Sequence, residues 1–309
     1  MRKAFINTLV ELSERDERIL LVAVDLGYTV VEPYQKAFPG RFVNPGVCEQ
    51  NAVAMATGLA EAGFIPFVYS IAPFATARPY EFIRNGPALH QSAVRMVGVG
   101  GGFEYGPAGP THFGIDDVGL MRLLTGTTIV TPADAAQAQS ALRATWDLQG
   151  PVYYRLGKDD TYELPGLEGA FKLGSAQCLR EGKDVCLISL GALARESEDA
   201  CLVLEADGVQ AGHILISSVE PFPAEMVIDK IAGVSLVVVA EAHVQAGGIG
   251  ERIGTIIAEN GLSCKLLRCN AGREWDGRSG SNMYCLERDG LTGTAIAAAI
   301  KDTLQSKNA

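Results

Sequence analysis

The chain has 309 residues, of which 48% are hydrophobic, and it carries a formal net charge of −10 with a pI near 5.0. This length suits two domains of ordinary size. No cluster of lysine and arginine is longer than a dipeptide, so the basic stripe that a nucleic-acid backbone requires is missing. No run reaches the roughly 18–20 apolar residues of a membrane span. We therefore expect a soluble cytoplasmic protein that binds neither nucleic acid nor membrane.

The amino-terminal segment and the cysteines agree with this location. Residues 1–19 read MRKAFINTLVELSERDERI, an amphipathic helical pattern with scattered charges that is not typical of a signal peptide. The seven cysteines include no CxxC pair and look like reduced core thiols. With four histidines and no His/Cys cluster in the sequence, we expect no metal site within this chain.

Apolar runs alternate with helical patterns in the first half of the chain. Strands are predicted at 19–25, 64–72, 94–101, 127–133 and 151–156, and helices at about 48–62, 78–91, 116–124 and 133–148. Continuous hydrophobic strands that alternate with helices predict a mostly parallel sheet covered by helices on both faces. The fold class is therefore α/β, with a first domain at residues 1–160.

A charged, glycine-rich stretch at 161–184 interrupts this alternation, and we interpret it as a linker that could include a short hairpin. A second alternation then begins. Its predicted strands are 184–191, 213–218, 235–242 and 264–269, and its predicted helices are 192–207, 223–232, 249–260 and 291–305. The sequence therefore predicts a second, smaller α/β domain at 185–309.

One nearly apolar helix pattern carries an acid at its start. Residues 46–63 read GVCEQNAVAMATGLAEAG, with Glu49 in the first turn, and such a helix should be buried. Glu49 is either a helix-terminus charge, favoured by the macrodipole and the free N–H groups, or a working carboxyl that carries a proton in a water-poor site. This segment alone favours the first interpretation.

Two glycine-rich runs follow predicted strands, GVGGGFEYG (98–106) and GGIGERIG (247–254). The first does not fit G-x-G-x-x-G, and the second has no acid about 20 positions further on to bind a ribose. We therefore expect both runs to serve tight turns and close packing, and we expect no nucleotide site.

A histidine lies in the loop GPTHFGIDDVGLMR (109–122), which follows a predicted strand. His112 precedes Asp116 and Asp117, which look like cap residues of the next helix. Ligands bind beyond the carboxyl ends of parallel strands, so His112 either faces a cleft or only braces the loop. The sequence leaves these two alternatives even.

Two more segments bring side chains to strand ends. Phe74 lies at a strand-to-helix turn, where it is either core or cleft rim, and Arg78 follows it closely. Arg155 ends the last strand of the first half. It could bind an anion there or pair with a nearby acid such as Asp159 or Asp160.

These segments, in this order, resemble the pyrimidine-binding and C-terminal domains of the transketolase family of thiamin diphosphate enzymes. The likeness covers nearly the whole chain. Its most specific element is GVCEQNAVAMATGLA, which looks like the family's G-x-x-E-[HQ] helix. Supporting elements are VDLG (24–27), the Phe74 turn, GPTH and EAHVQAGGIGERIG (241–254).

The resemblance implies a set of cofactor contacts. Glu49 would bind N1′ of the cofactor's aminopyrimidine and so promote loss of the proton from C2 of the thiazolium. Phe74 would stack on the aminopyrimidine ring, with Ile71 as the competing residue. Asp25 and Leu26, in VDLG, would complete the cofactor-binding residues.

The resemblance also implies a substrate site. His112 would face the substrate and the charge that develops on its oxygen, and Arg155, Arg78 and Gly100 are further candidates. Transketolases usually carry an acid where Ala108 stands and a sugar-phosphate-binding histidine where Gly100 stands. We therefore expect extra room, and a modified or larger sugar in place of an ordinary pentose phosphate.

Whole-length transketolases carry a G-D-G motif and a downstream Asn that hold the diphosphate and its divalent metal, and this sequence has no GDG. The resemblance therefore implies the smaller subunit of a split transketolase that transfers a two-carbon ketol unit. An N-terminal partner subunit would hold the diphosphate with Mg²⁺ (or Ca²⁺ or Mn²⁺) in an α2β2 heterotetramer. The alternatives are the β subunit of a 2-oxo-acid dehydrogenase, an acyloin-forming enzyme like deoxyxylulose-phosphate synthase, and a regulatory subunit without chemistry.

Overall fold

The computed structural model describes residues 1–272 and 277–306, and its strands form two sheets. In the first half, the elements are α1 Arg2–Ser13, β1 Ile19–Ala23, α2 Glu32–Ala37, β2 Phe42–Val43, α3 Glu49–Glu61, β3 Ile65–Ile71, α4 Ala72–Thr76, α5 Tyr80–Ile83, β4 Arg95–Val99, α6 Asp117–Arg122, β5 Thr128–Val130, α7 Ala135–Thr145 and β6 Val152–Leu156.

In the second half, the elements are β7 Gln177–Arg180, β8 Val185–Leu190, α8 Ala194–Ala206, β9 Ala211–Ile216, β10 Ser218–Glu220, α9 Ala224–Ile231, β11 Leu236–Glu241, α10 Ile249–Glu259, β12 Lys265–Asn270, α11 Asn282–Asp289 and α12 Gly293–Gln305. None of the helices in the described ranges is long and apolar enough to cross a membrane.

The first sheet has seven strands in the order β10-β5-β6-β4-β3-β1-β2. All neighbours in it are parallel except β10 and β5. Successive residues of a strand point to opposite faces, so Phe67 of β3 packs with Phe5 of α1, whereas Val68 packs with Val53 of α3. Both faces of the sheet are therefore covered by helices.

The second sheet has five strands in the order β12-β11-β8-β9-β7. Its strands are parallel except for β7, which pairs antiparallel with β9. The α/β class with two mostly parallel sheets, predicted from the sequence, is confirmed. The division of the strands between the two sheets differs from the prediction in two places. Strand β7 lies within the predicted linker, and strand β10, from the second half of the chain, pairs with β5 at the edge of the first sheet.

The predicted helix over 78–91 is the largest local error. A short α5 is followed by a π-helical turn at 84–88 that contains Pro87. Proline lacks an N–H and clashes with the preceding turn, so Pro79 and Pro87 limit regular helix here. The short elements α2, β2, α4, β7, β10 and α11 were not predicted.

Candidate active site

The carboxylate of Glu49 lies at the first residue of α3, beside β3. Helix α3 buries Ala52, Val53 and Ala56 against the sheet, and Glu49 is itself only 1% exposed. The Ser70 hydroxyl on β3 donates a hydrogen bond to Glu49 Oε1 at 3.0 Å. Arg78 donates from its guanidinium to Oε2 at 2.6 Å. Both carboxylate oxygens are therefore held by side chains from the β3–α5 segment.

Two aromatic rings, those of Phe74 and His112, are connected to this carboxylate through Arg78. Phe74 is in α4, immediately beyond the carboxyl end of β3. Its ring is edge-on to the ring of His112, with centroids 4.9 Å apart, and Arg78 Cζ lies 4.0 Å from the centre of the Phe74 ring. We call Glu49, Ser70, Phe74, Arg78 and His112 the Glu49 group. Each of these residues was predicted as part of a site except Ser70, which no sequence pattern distinguishes.

The loop that carries His112 is fixed by its own backbone. Gly102 and Gly114 exchange two N–H to carbonyl hydrogen bonds, of 2.6 and 2.9 Å, which close the loop. Gly109 has φ of +87°, a conformation that favours glycine, and the turn Pro110–His112 follows it. The Thr111 hydroxyl shares a 2.9 Å hydrogen bond with Nδ1 of half-buried His112. The loop therefore holds the imidazole against Phe74.

The local structure requires a glycine at position 100, for a reason that the sequence did not reveal. Its φ is +74°, and a Cβ built on it would overlap the ring of Tyr105. The room that we expected beside Gly100 is therefore filled by that ring, which corrects the prediction. Ala108 lies exposed in a short 3-10 turn.

Arg155 is committed to structural contacts, which disfavours its predicted role at the substrate. It is 7% exposed, and its Nε donates to Asp117 Oδ2 at 2.9 Å. A terminal nitrogen donates to the carbonyls of Gly114, at 2.6 Å, and of Ala242 in the second half, at 2.9 Å. Asp117 also accepts from the hydroxyl of Tyr153 at 2.6 Å. This buried ion pair therefore braces the two halves.

Asp159 and Asp160, the acids predicted as possible ion-pair partners of Arg155, have other partners. Asp160 pairs with the amino group of Met1 at 2.8 Å, and Asp159 lies 3.8 Å from Arg195. Asp116 is the cap residue of α6 but makes no side-chain capping bond. Asp116 therefore holds the predicted cap position, and Asp117 is the first residue of the helix.

The remaining predicted cofactor residues lie at the ends of neighbouring strands. Asp25 follows β1 with φ of +49°, and the Asn44 amide both accepts from its backbone N–H at 3.1 Å and donates to its carboxylate at 3.2 Å. Leu26 is half-buried against the core on the α1 side, and Ile71 is the half-buried last residue of β3. Their roles at the cofactor stay predictions, as does the choice between Ile71 and Phe74.

The second half contains a polar group that sequence reasoning missed. Ser189 Oγ lies 2.8 Å from His213 Nε2, and His213 Nδ1 lies 3.0 Å from Glu198 Oε2. Arg180 donates to the other oxygen of Glu198 at 2.7 Å. Glu198, Cys201 and His213 have metal-ligand atoms within 4.8 Å of one another. The spacing of Glu198 and Cys201, three positions apart on one helix, was the available signal.

The chemistry of this second group favours a structural role. The hydrogen bond from His213, helped by Arg180, lowers the pKa of Glu198 to about 2, so the carboxylate stays charged and paired. Burial raises the pKa of the Cys201 thiol to about 12, which opposes the thiolate form that binds metals. Ser189 and His213 are fully buried, so a substrate cannot reach them.

Comparison with known proteins finds similar sequences along nearly the whole chain. Residues 1–162 match the profile of the transketolase pyrimidine binding domain, and residues 174–284 match that of the transketolase C-terminal domain. A putative transketolase C-terminal section of Methanocaldococcus jannaschii is 34% identical and spans 99% of this chain and 97% of its own length. The 6-deoxy-6-sulfo-D-fructose transketolase subunit SqwH of Clostridium sp. is 32% identical over 100% of this chain and 95% of its own length.

A solved structure is similar over the same extent. The structure of a split gene transketolase, described as an inactive beta4 tetramer, has a TM-score of 0.89 to this chain at 31% sequence identity. The match covers 98% of each of the two chains. The likeness therefore includes both sheets and the segment between them.

Proposed function

This chain belongs to the transketolase family, and from that membership we propose that it is the smaller subunit of a split transketolase, which transfers a two-carbon ketol unit between sugar-type substrates with thiamin diphosphate. The observation that carries the proposal is the Glu49 group. A nearly fully buried carboxylate is connected through Arg78 to an aromatic ring, and that ring contacts a histidine just beyond the carboxyl end of β3. Ligands of parallel sheets bind at this edge.

The Glu49 group fits the aminopyrimidine end of this cofactor. Phe74 offers a flat apolar face, and Glu49 offers a carboxylate that contacts the same guanidinium. The planar guanidinium of Arg78 contacts both residues, at 4.0 Å from the ring centre and 2.6 Å from the carboxylate oxygen. A flat, nitrogen-rich group is therefore compatible with this space, and the aminopyrimidine is such a group.

The diphosphate and its metal need a different site. Within the described ranges, the residues with metal-ligand atoms in common reach are Glu198, Cys201 and His213, and Mg²⁺ prefers an all-oxygen set. We therefore propose that a partner subunit with a G-D-G motif holds the diphosphate with Mg²⁺, Ca²⁺ or Mn²⁺, in an α2β2 assembly. The relative named as a subunit and the inactive beta4 tetramer of a split gene transketolase support this need for a partner.

Three members of the Glu49 group, Glu49, Phe74 and His112, then have a role at the cofactor or the substrate. When bound, thiamin diphosphate supplies a nucleophilic carbon that accepts and releases the two-carbon unit. Glu49 would share a proton with ring nitrogen N1′, as a general acid–base group does. Phe74 would hold the ring by its apolar face and exclude water. His112, edge-on to Phe74, would donate a hydrogen bond to the substrate oxygen on which negative charge develops.

The test is hydrogen–deuterium exchange at C2 of thiamin diphosphate in the complex with the partner subunit. Glu49→Gln keeps the shape but removes the proton-sharing carboxyl, so we expect exchange to slow by between about a hundredfold and ten-thousandfold. The matched control is Glu61→Gln, at the exposed last residue of the same helix, which should exchange at the parent rate. Equal rates in all three proteins would leave Glu49 as a helix-terminus charge.

The substrate is the finer part of the proposal. Tyr105 fills the space beside Gly100, and Ala108 offers no charge, so the usual contacts to a pentose phosphate are absent at both positions. We propose a modified sugar as acceptor, because a site without matched polar partners does not favour the ordinary substrate; the larger sugar expected from the sequence is not proposed, since the room beside Gly100 is filled. A panel of aldehyde acceptors with a generic ketol donor tests this, and ribose 5-phosphate as best acceptor would contradict it. Activity with pyruvate as donor would favour the acyloin-forming or dehydrogenase alternatives.

A further inference from the structure

The side chain of Arg78 contacts both residues that we assign to the aminopyrimidine. Its guanidinium donates to Glu49 Oε2 at 2.6 Å, and its Cζ lies 4.0 Å from the centre of the Phe74 ring. The guanidinium is planar, stacks on aromatic faces and forms strong hydrogen bonds with carboxylates. It therefore makes in one group the two kinds of contact that the cofactor ring would make.

The two partners of this ion pair differ in their access to solvent. The Glu49 side chain is 2% exposed, whereas that of Arg78 is 34% exposed. Arg78 also lies in the short turn between α4 and α5, outside either helix. Glu49 is therefore fixed in the core, whereas Arg78 can move towards solvent without disturbing a helix.

A buried carboxylate without a cationic or hydrogen-bonding partner is strongly disfavoured. Ser70 supplies one neutral hydrogen bond to Glu49, and Arg78 supplies the charged one. The ion pair therefore stabilises the chain while no cofactor is bound, and it must open before another planar group can contact Glu49 Oε2 and the same face of Phe74.

We propose that Arg78 is a positioning residue that holds the aminopyrimidine site closed in the cofactor-free chain and is displaced when the cofactor binds. The proposal rests on the function proposed above. Because part of the binding free energy opens the Arg78–Glu49 pair, the affinity for thiamin diphosphate is lower than the site alone would give. Removing the guanidinium should therefore weaken the cofactor-free chain and strengthen cofactor binding.

The first experiment is a double-mutant cycle on the full chain without cofactor, with Arg78→Met and Glu49→Gln measured by thermal unfolding. Methionine keeps an apolar stem on Phe74 and removes the charge. We expect Arg78→Met to lower the unfolding midpoint by about 2–4 °C when Glu49 is present and to have no effect in the Glu49→Gln background. Equal shifts in both backgrounds would overturn the proposed pairing.

The second experiment is calorimetry of thiamin diphosphate binding, with Mg²⁺, to the complex of both subunits. We expect Arg78→Met to tighten binding by about tenfold, which corresponds to the loss of about 1.4 kcal/mol of opening cost. The matched control is Arg84→Met, in the π-helical turn that follows, whose guanidinium pairs with the side chain of Asn85. It should bind like the parent.

The outcomes separate this inference from the proposed function. Weaker or unchanged binding in Arg78→Met would overturn the displacement and make Arg78 a cofactor contact or a bystander. A parent complex that binds no thiamin diphosphate would overturn the proposed function and the displacement together. The double-mutant cycle would in that case still decide whether Arg78 pairs with Glu49.

Discussion

Two buried glutamates, one in each half of the molecule, lie next to the start of a helix, and their surroundings differ. Glu241, at the end of β11, is fully buried and accepts from the backbone N–H groups of Ile249 and Gly250, at 2.8 and 2.9 Å, in the first turn of α10. Asn270 donates a further hydrogen bond at 3.0 Å. By contrast, the hydrogen bonds that Glu49 accepts within the described ranges come from the side chains of Ser70 and Arg78.

This difference separates two kinds of helix-start acid. Glu241 satisfies free N–H groups of a helix, which is the ordinary structural role of an acid at that place. In the part of the chain that the structure describes, Glu49 accepts from Ser70 and Arg78 and from no backbone N–H of α3, and its charged partner is a partly exposed arginine. An acid that caps its helix is explained by the fold, whereas an acid that leaves the cap unmade and stays buried requires another explanation. Glu49 is therefore the better candidate for chemistry.

The largest expected effect on stability is at Glu241. Glu241→Gln removes charge-assisted hydrogen bonds and turns an amide N–H₂ towards buried donors, so the free energy of unfolding should fall by about 2–4 kcal/mol. The matched change Glu49→Gln should cost only about 1 kcal/mol or less, because its charged partner is partly exposed. Urea unfolding of both variants measures this. A cost at Glu49 equal to that at Glu241 would remove the distinction between them.

A third glutamate gives an intermediate effect that depends on pH. Glu104 lines a cavity of about 140 Å³ between the two halves, and its carboxylate accepts one backbone N–H, from Lys158, at 2.6 Å. Burial raises the pKa of Glu104 from the ordinary 4.5 to about 7. The folded chain therefore keeps a proton that the unfolded chain releases between these pH values, and stability falls as the pH rises from 4.5 to 7.

Glu104→Gln should abolish that decline. Because Glu104 keeps part of its surface open, we expect the decline in the parent to be about 1–2 kcal/mol. Urea unfolding at several pH values between pH 4.5 and pH 7 compares the two chains. Parallel curves for parent and variant would mean that another group titrates in this window.

The sequence predicts the fold class well because each buried strand is a continuous apolar run, which needs no knowledge of its neighbours. Strand β10 could not be predicted in this way, since its three residues join a sheet built from the other half of the chain. Strand β7 was not predicted, for a related reason. It is half-buried throughout and lacks the apolar run by which strands are recognised.

The candidate site, too, could be predicted only in part: its residues were identified from the sequence, but their contacts were not. Glu49, Phe74, Arg78 and His112 were predicted individually, since helix starts and strand ends can be located from sequence. Their mutual contacts depend on side-chain directions that sequence periodicity does not contain. Pairings such as Arg155 with Asp117, 38 positions apart, have many equivalent alternatives in the sequence, and only the fold selects one.

The smallest expected effect concerns the neutral partner of Glu49. Ser70→Ala removes one hydrogen bond and leaves the carboxylate and Arg78 in place, so stability should fall by about 1 kcal/mol. Ser92 is a matched control, because its hydroxyl donates to Glu61, the last residue of the helix that begins with Glu49, and Ser92→Ala should cost a similar amount. The two variants should differ in C2 exchange of thiamin diphosphate in the complex. Ser70→Ala should slow exchange by less than about tenfold, since the proton-sharing group remains and only its position is less fixed, whereas Ser92→Ala should exchange at the parent rate. A loss in Ser70→Ala as large as in Glu49→Gln would mean that the hydroxyl, and not the carboxylate alone, takes part in the proton transfer.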